Sequence, residues 1–176
     1  MTMDEKPDTD AIFVIDLQNG FLSSPTRALP KKIARFLSRI TPAHLLFFQF
    51  KNKPGSKFEK SLGWKRMRSK KETALAQEVR HYAKTIFTHD SYSLFNAQTK
   101  AWLKRHAIRR IFLCGVYTDV CVLYAALEAF DHGYDPLILK DLVGTQHGQK
   151  RNNETLKTLE RAIGRNHVIR SDNAKP

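Results

Sequence analysis

Asp16, His89 and Cys121 each fall at or just beyond the end of a run of apolar, β-favouring residues. An acid, an imidazole and a thiol brought to one rim have the makings of nucleophilic catalysis. The thiolate is the working form of cysteine, and it forms most readily at a helix N-terminus beside a base and a cation. Cys121 lies in the first turn of a helix expected to open at Thr118 or Asp119, where the helix dipole favours negative charge. The bland reading of Cys121 is a small packing residue, and Cys114, inside a strand, reads that way.

The elements that must position these groups alternate. Residues 11–16 (AIFVID), 44–50 (HLLFFQF), 85–88 (TIFT), 110–115 (RIFLCG), 136–139 and 167–169 read as short buried strands. Between them, apolar residues recur at helical spacing over 31–40, 72–82, 96–106, 119–132 and 153–163. Six strands alternating with helices specify right-handed crossovers, so the expected fold is α/β: a doubly wound, mainly parallel six-stranded sheet in a three-layer α/β/α, Rossmann-like arrangement. Such sheets bind ligands beyond the carboxyl ends of their strands. One domain spanning 1–176 is expected, ordered over about 11–170, with frayed ends.

Three segments carry a family resemblance. Gly115, Val116, Tyr117, Thr118, Asp119, Val120, Cys121 and Val122 resemble the nucleophile motif of isochorismatase-like cysteine hydrolases. AIFVIDLQNGF, with Asp16, Gln18, Asn19 and Phe21, resembles that family's first motif, and SYSLF resembles its middle one except at Leu94. FKNKPGSKFEKSLGWKRM is similar to an uncharacterised subgroup of such hydrolases. The resemblance implies an amidase-type mechanism on a small amide: Asp16 takes the thiol proton, Cys121 attacks, and the backbone N–H groups of Tyr117 and Cys121 hold the oxyanion, with a cis peptide between Val116 and Tyr117. It also implies a homo-oligomer, a dimer or tetramer.

Two departures stand out. Six residues before Phe95, where the family carries a catalytic lysine, this chain has His89. An ordinary histidine titrates near pH 6.5, so this cation needs Asp16 beside it. The alternative function is therefore a catalytically impaired binding protein of the same fold. Secondly, the nicotinamidase branch places a histidine and aspartate cluster after the second strand, whereas FQFKNKPGS holds no histidine; no metal and no other cofactor is expected. Gln18, Phe21, Trp64 and Tyr92 are the candidate pocket residues. Gln18 could equally support its loop, and His147 reads as a loop histidine.

Composition bounds the rest. No run approaches the roughly 20 apolar residues of a membrane span, and two cysteines in one strand-to-helix stretch make no secreted disulfide framework, so a cytoplasmic protein is expected. The formal charge is +13, and nine Lys and Arg residues between positions 51 and 71 face one acid, Glu59. That run suits steering of an anionic substrate. It lacks the aromatic interleaving of an RNA-binding sheet, which counts against nucleic acid.

Overall fold

The computed structural model describes residues 9–174 and Pro176. Strands β1 (Asp10–Ile15), β2 (Leu45–Phe50), β3 (Ile86–His89), β4 (Arg110–Val116), β5 (Asp135–Gly144) and β6 (Val168–Ile169) form one sheet in the order β3-β2-β1-β4-β5-β6. Every pairing is parallel. Parallel strands of this kind are covered on both faces, which is why β1 is buried throughout and reads as a continuous apolar run. Ala11, Phe13 and Ile15 point into one core layer, and Ile12 and Val14 into the other.

Helices α4 (Ala97–Arg105), α5 (Leu123–Asp131) and α6 (Gly148–Ile163) cover the first layer, and α1 (Leu29–Leu37) covers the second. In α5 the residues turned to the sheet are Ala125, Ala126 and Ala129, all fully buried. Small side chains there bring the helix close to the strands, which fixes the turn that precedes it. Among the described residues no helix is long and apolar enough to cross a membrane.

The chain leaves β3 at one edge and returns to β4 beside β1, so the strand order reverses between β1 and β4. A crevice opens at such a switch point. Gly115 is required there: its φ is 118°, and an added Cβ would lie 2.1 Å from the Ile15 carbonyl oxygen. The ladder between β4 and β5 shifts register at this residue.

The segment 72–82 is not the helix its periodicity predicts. A short α3 (Lys70–Thr73), closed by a capping box between Ser69 and Glu72, ends at once, and residues 77–82 form a 3-10 turn. The backbone between them is drawn off: Asn19 N–H donates to Ala74 O and Ala76 N–H to Leu17 O. Those pairings replace helical ones. Conversely, α2 (Lys57–Leu62), capped by Ser56 and ended by left-handed Gly63, stands where a loop excursion is expected. β5 runs five residues beyond its expected end at 139, and α6 starts five before its expected start at 153.

At the C-terminal end, Ser171–Asn173 form a 3-10 turn, with Ser171 N–H and Oγ–H donating to Asp141 at 2.8 and 2.6 Å. That part of the tail is therefore tied down rather than frayed. The expected fraying of residues 1–8 and 175 lies outside the described residues.

Candidate active site

Asp16 follows the last residue of β1 and takes φ 51°, a left-handed conformation that aspartate tolerates better than most residues. Its carbonyl accepts from Gln18 N–H at 2.7 Å, a tight turn that swings the carboxylate under the rim. The side chain is fully buried.

His89 is the last residue of β3, two strands away, and its Nε2 lies 2.8 Å from Asp16 Oδ1. Its Nδ1 lies 2.7 Å from the backbone carbonyl of Ser91. A carbonyl and a carboxylate only accept, so both ring nitrogens must donate, and the ring that satisfies both is the imidazolium. Burial works against that charge. The Asp16 carboxylate, its hydrogen bond and the Ser91 carbonyl outweigh it, and the His89 pKa is raised above its ordinary value. The loop supplying Ser91 O is itself braced, because Ser93 Oγ–H and Leu94 N–H donate to the Glu128 carboxylate of α5 at 2.5 and 3.1 Å.

Cys121 sits in a π-helical turn, Thr118–Val122, between β4 and α5. The preceding bond, Val116–Tyr117, is cis. Neither expected cap serves as one. Thr118 Oγ–H donates to the buried Asn152 of α6 at 2.5 Å, and Asp119 Oδ2 meets Arg151 Nε at 3.3 Å. Both contacts tie the turn to α6 instead. Cys121 is 9 % exposed. Burial, followed by the charge and hydrogen bond of Asp16, pushes its thiol well above the ordinary range, while the Tyr117 backbone N–H acts in the opposite direction. The raised value favours a thiol in the resting site, not the free thiolate that a helix N-terminus alone would favour.

Above Cys121 is a cavity of about 300 Å³ lined by Phe21, Phe50, Phe58, Trp64, Tyr92 and Tyr117, with Leu62, Val120, Arg66, Ser91 and Gln146 completing it. Phe21 and Trp64 are stacked at 6.1 Å, and Phe21 meets the Tyr117 ring edge-on at 5.4 Å. The Tyr117 hydroxyl donates to Phe21 O at 2.7 Å, and its burial pushes the phenol up to about 12.

The isochorismatase domain model matches residues 10–169. The chain belongs to the isochorismatase family. It is 26% identical over 162 residues to isochorismatase family protein 1B of Dictyostelium discoideum, covering 88% of this chain and 70% of that one. An isochorismatase-like hydrolase from Alkaliphilus metalliredigens superposes with a TM-score of 0.82 at 18% identity, covering 93% of this chain and 96% of its own. N-carbamoylsarcosine amidase from Thermoplasma acidophilum does so at 0.81 and 18% identity, covering 96% and 99%. These likenesses establish the isochorismatase-like α/β fold.

Within this family member the sequence-expected residues divide. Asp16, His89 and Cys121 converge, and Phe21, Trp64, Tyr92 and Tyr117 line the cavity. Gln18 is a correction. It is fully buried away from the pocket; its amide nitrogen donates to Phe50 O and Thr73 O at 2.9 and 2.8 Å, and its amide oxygen accepts from Phe50 N–H at 2.8 Å. Three backbone groups thus take both of its donors and one of its two acceptor positions. Asn19 likewise donates to a backbone carbonyl, that of Lys71 in α3, and His147 is exposed beside Gln146.

Sequence reasoning missed Phe50, Phe58, Leu62, Arg66, Ser91, Val120 and Gln146 as pocket residues. Phe50 is the last residue of β2 and Gln146 follows the end of β5, so the strand-end rule could have found both once β5 was read to its full length. Arg66 was hidden in the basic run. Among the described residues no three His, Cys, Asp or Glu side chains converge as a metal site.

Proposed function

We propose that the protein hydrolyses a carbon–nitrogen bond of a small amide through a covalent intermediate on Cys121. The observation that carries this reading is the buried cluster in which Asp16 binds His89 through Oδ1 at 2.8 Å, with Cys121 close enough for the Asp16 charge to raise its thiol pKa. As sulfur attacks the carbonyl carbon, its proton passes to Asp16. The carbonyl oxygen becomes an oxyanion, received by the N–H groups of Tyr117 and Cys121; preorganised donors of this kind contribute strongly to acyl transfer. Collapse breaks the C–N bond, Asp16 gives its proton to the departing nitrogen, and a thioester remains. Water then adds to the thioester, with Asp16 again accepting the proton; the C–S bond breaks, the carboxylic acid leaves, and Asp16 returns the proton to the Cys121 sulfur.

In this scheme His89 serves as the cation that keeps Asp16 oriented and ionised between proton transfers. Membership of the isochorismatase family and the fold shared with an N-carbamoylsarcosine amidase support amide chemistry.

The test is ammonia release from a panel of small primary amides, with mass spectrometry of the quenched enzyme. Turnover is expected with an acyl adduct on Cys121, and Cys121→Ala abolishes both. Turnover that survives Cys121→Ala refutes the mechanism. A fold kept for binding alone would bind amides in the wild type with no turnover, and would gain turnover in His89→Lys.

A further inference from the structure

We infer that the pocket above Cys121 selects amides bearing an anionic group on a flat or apolar body, with Arg66 as the residue that reads the charge. This rests on the amidase reading above and specifies its substrate class. Of the twelve residues lining the cavity six are aromatic, one is charged, and none is acidic. An aromatic wall alone accepts an apolar ring or a cation, since ring faces attract positive charge. The sign of the charged residue decides between them.

Arg66 is held from behind. Its Nη2 donates to Gly20 O at 2.8 Å, and its Nε lies 3.6 Å from Glu72 Oε1. Glu72 stays ionised, its carboxyl held at about 2 by hydrogen bonds from Ser69, and its other oxygen is taken up in the α3 cap. The guanidinium has five donors, and these contacts leave the Nη1 pair without a protein partner among the described residues. A planar fork fixed at one edge and open at the other is suited to a carboxylate.

Two other cations of the same segment are already engaged. Lys53 pairs with Asp90 at 2.5 Å, and Arg68 pairs with Glu59 at 2.8 Å. The charge of Arg66 is also felt inside the site, where it opposes the effect of burial on the Tyr117 hydroxyl. A cationic substrate would be repelled by this guanidinium, which is 60 % exposed and only partly balanced by Glu72, whereas an anionic one completes its donor set.

The inference is tested with three matched probes: benzamide, 3-carboxybenzamide and 3-(trimethylammonio)benzamide. In the wild type the carboxylate probe is expected to exceed benzamide in kcat/KM by roughly tenfold, mainly through KM, as one added charge-assisted hydrogen-bonded contact gives. The cationic probe falls below both. That preference collapses in Arg66→Gln, is partly kept in Arg66→Lys, and persists in Lys71→Gln, which removes an equal charge from an exposed side chain of the same segment. Calorimetric binding of the carboxylate probe to the inert Cys121→Ser protein reads the subsite without turnover. Turnover of all three probes at equal kcat/KM overturns the inference and leaves the amidase reading standing, as does a preference that survives Arg66→Gln. Arg66-dependent binding to Cys121→Ser with no turnover by the wild type does the reverse. Failure of the inert protein to bind the carboxylate probe, with no turnover, removes both.

Discussion

Replacing His89 by leucine tests the charge state on which the site depends. The His89 side chain is 2 % exposed and its partner Asp16 is fully buried, with Oδ1 bound to His89 and Oδ2 lacking any hydrogen-bond partner among the described residues that meets ordinary geometry. His89→Leu keeps apolar bulk and deletes both donors, so a carboxylate is left buried without its cation. Breaking a buried pair in this way costs about 3–5 kcal/mol. At roughly 2–4 °C per kcal/mol for a domain of this size, the midpoint of thermal unfolding falls by about 6–20 °C.

The pH dependence follows from the raised His89 pKa. A group whose folded pKa lies above its unfolded value contributes fully below the unfolded pKa, about 6.5 for histidine, and that contribution is lost as pH rises through the folded pKa. The gap between wild type and His89→Leu is therefore widest at and below about pH 6.5 and narrows above it. Urea denaturation at a series of pH values measures the gap, and the double variant Asp16→Asn/His89→Leu completes the cycle. The double variant is expected to be more stable than His89→Leu alone, because the orphaned charge is gone. The reasoning fails if His89→Leu lies within about 1 kcal/mol of wild type, or if the second substitution deepens the loss.

Amide turnover is expected to decline as pH rises through the same raised His89 pKa, and His89→Lys moves that decline to higher pH; coincident limbs in stopped-point ammonia assays would contradict this. Gln18→Leu leaves Phe50 N–H and Phe50 O without their side-chain partner, while Thr73 O keeps Gln49 Nε2 at 2.7 Å, and denaturant unfolding should show a loss of about 2–6 kcal/mol at about one to three per buried group. Gly115→Ala places a methyl 2.1 Å from Ile15 O at φ 118°, and the outcome expected is failure to accumulate as soluble folded protein, read by circular dichroism of any purified fraction.

The sheet was legible because its strands are buried on both faces and so read as unbroken apolar runs, from AIFVID to RIFLCG. The convergence of Asp16, His89 and Cys121 was legible for the same reason: each closes or follows a strand, and strand ends meet at one rim. Residues 72–82 misled because Leu75, Ala76 and Val79 share a helical face in the sequence, while their burial is satisfied by an isolated bridge from Leu75 to Gln18 and a 3-10 turn. Pairing across more than fifty residues leaves no local trace. Against its burial, the His89 pKa is raised chiefly by Asp16, which the sequence led one to expect; the added part of the Ser91 carbonyl was beyond the sequence, because that carbonyl is aimed by Glu128 gripping Ser93 and Leu94 from another helix.

The buried Gln18 amide has a mechanical consequence. It clasps the tip of β2, where Phe50 forms a wall of the cavity, and the end of α3, and it does so two residues downstream of Asp16. The width of the substrate chamber and the seat of the proton acceptor are thereby fastened by a single amide. A replacement at this position that keeps the shape but shortens the clasp would move both together, so changes in which molecules enter and in how fast they react should arrive as one phenotype.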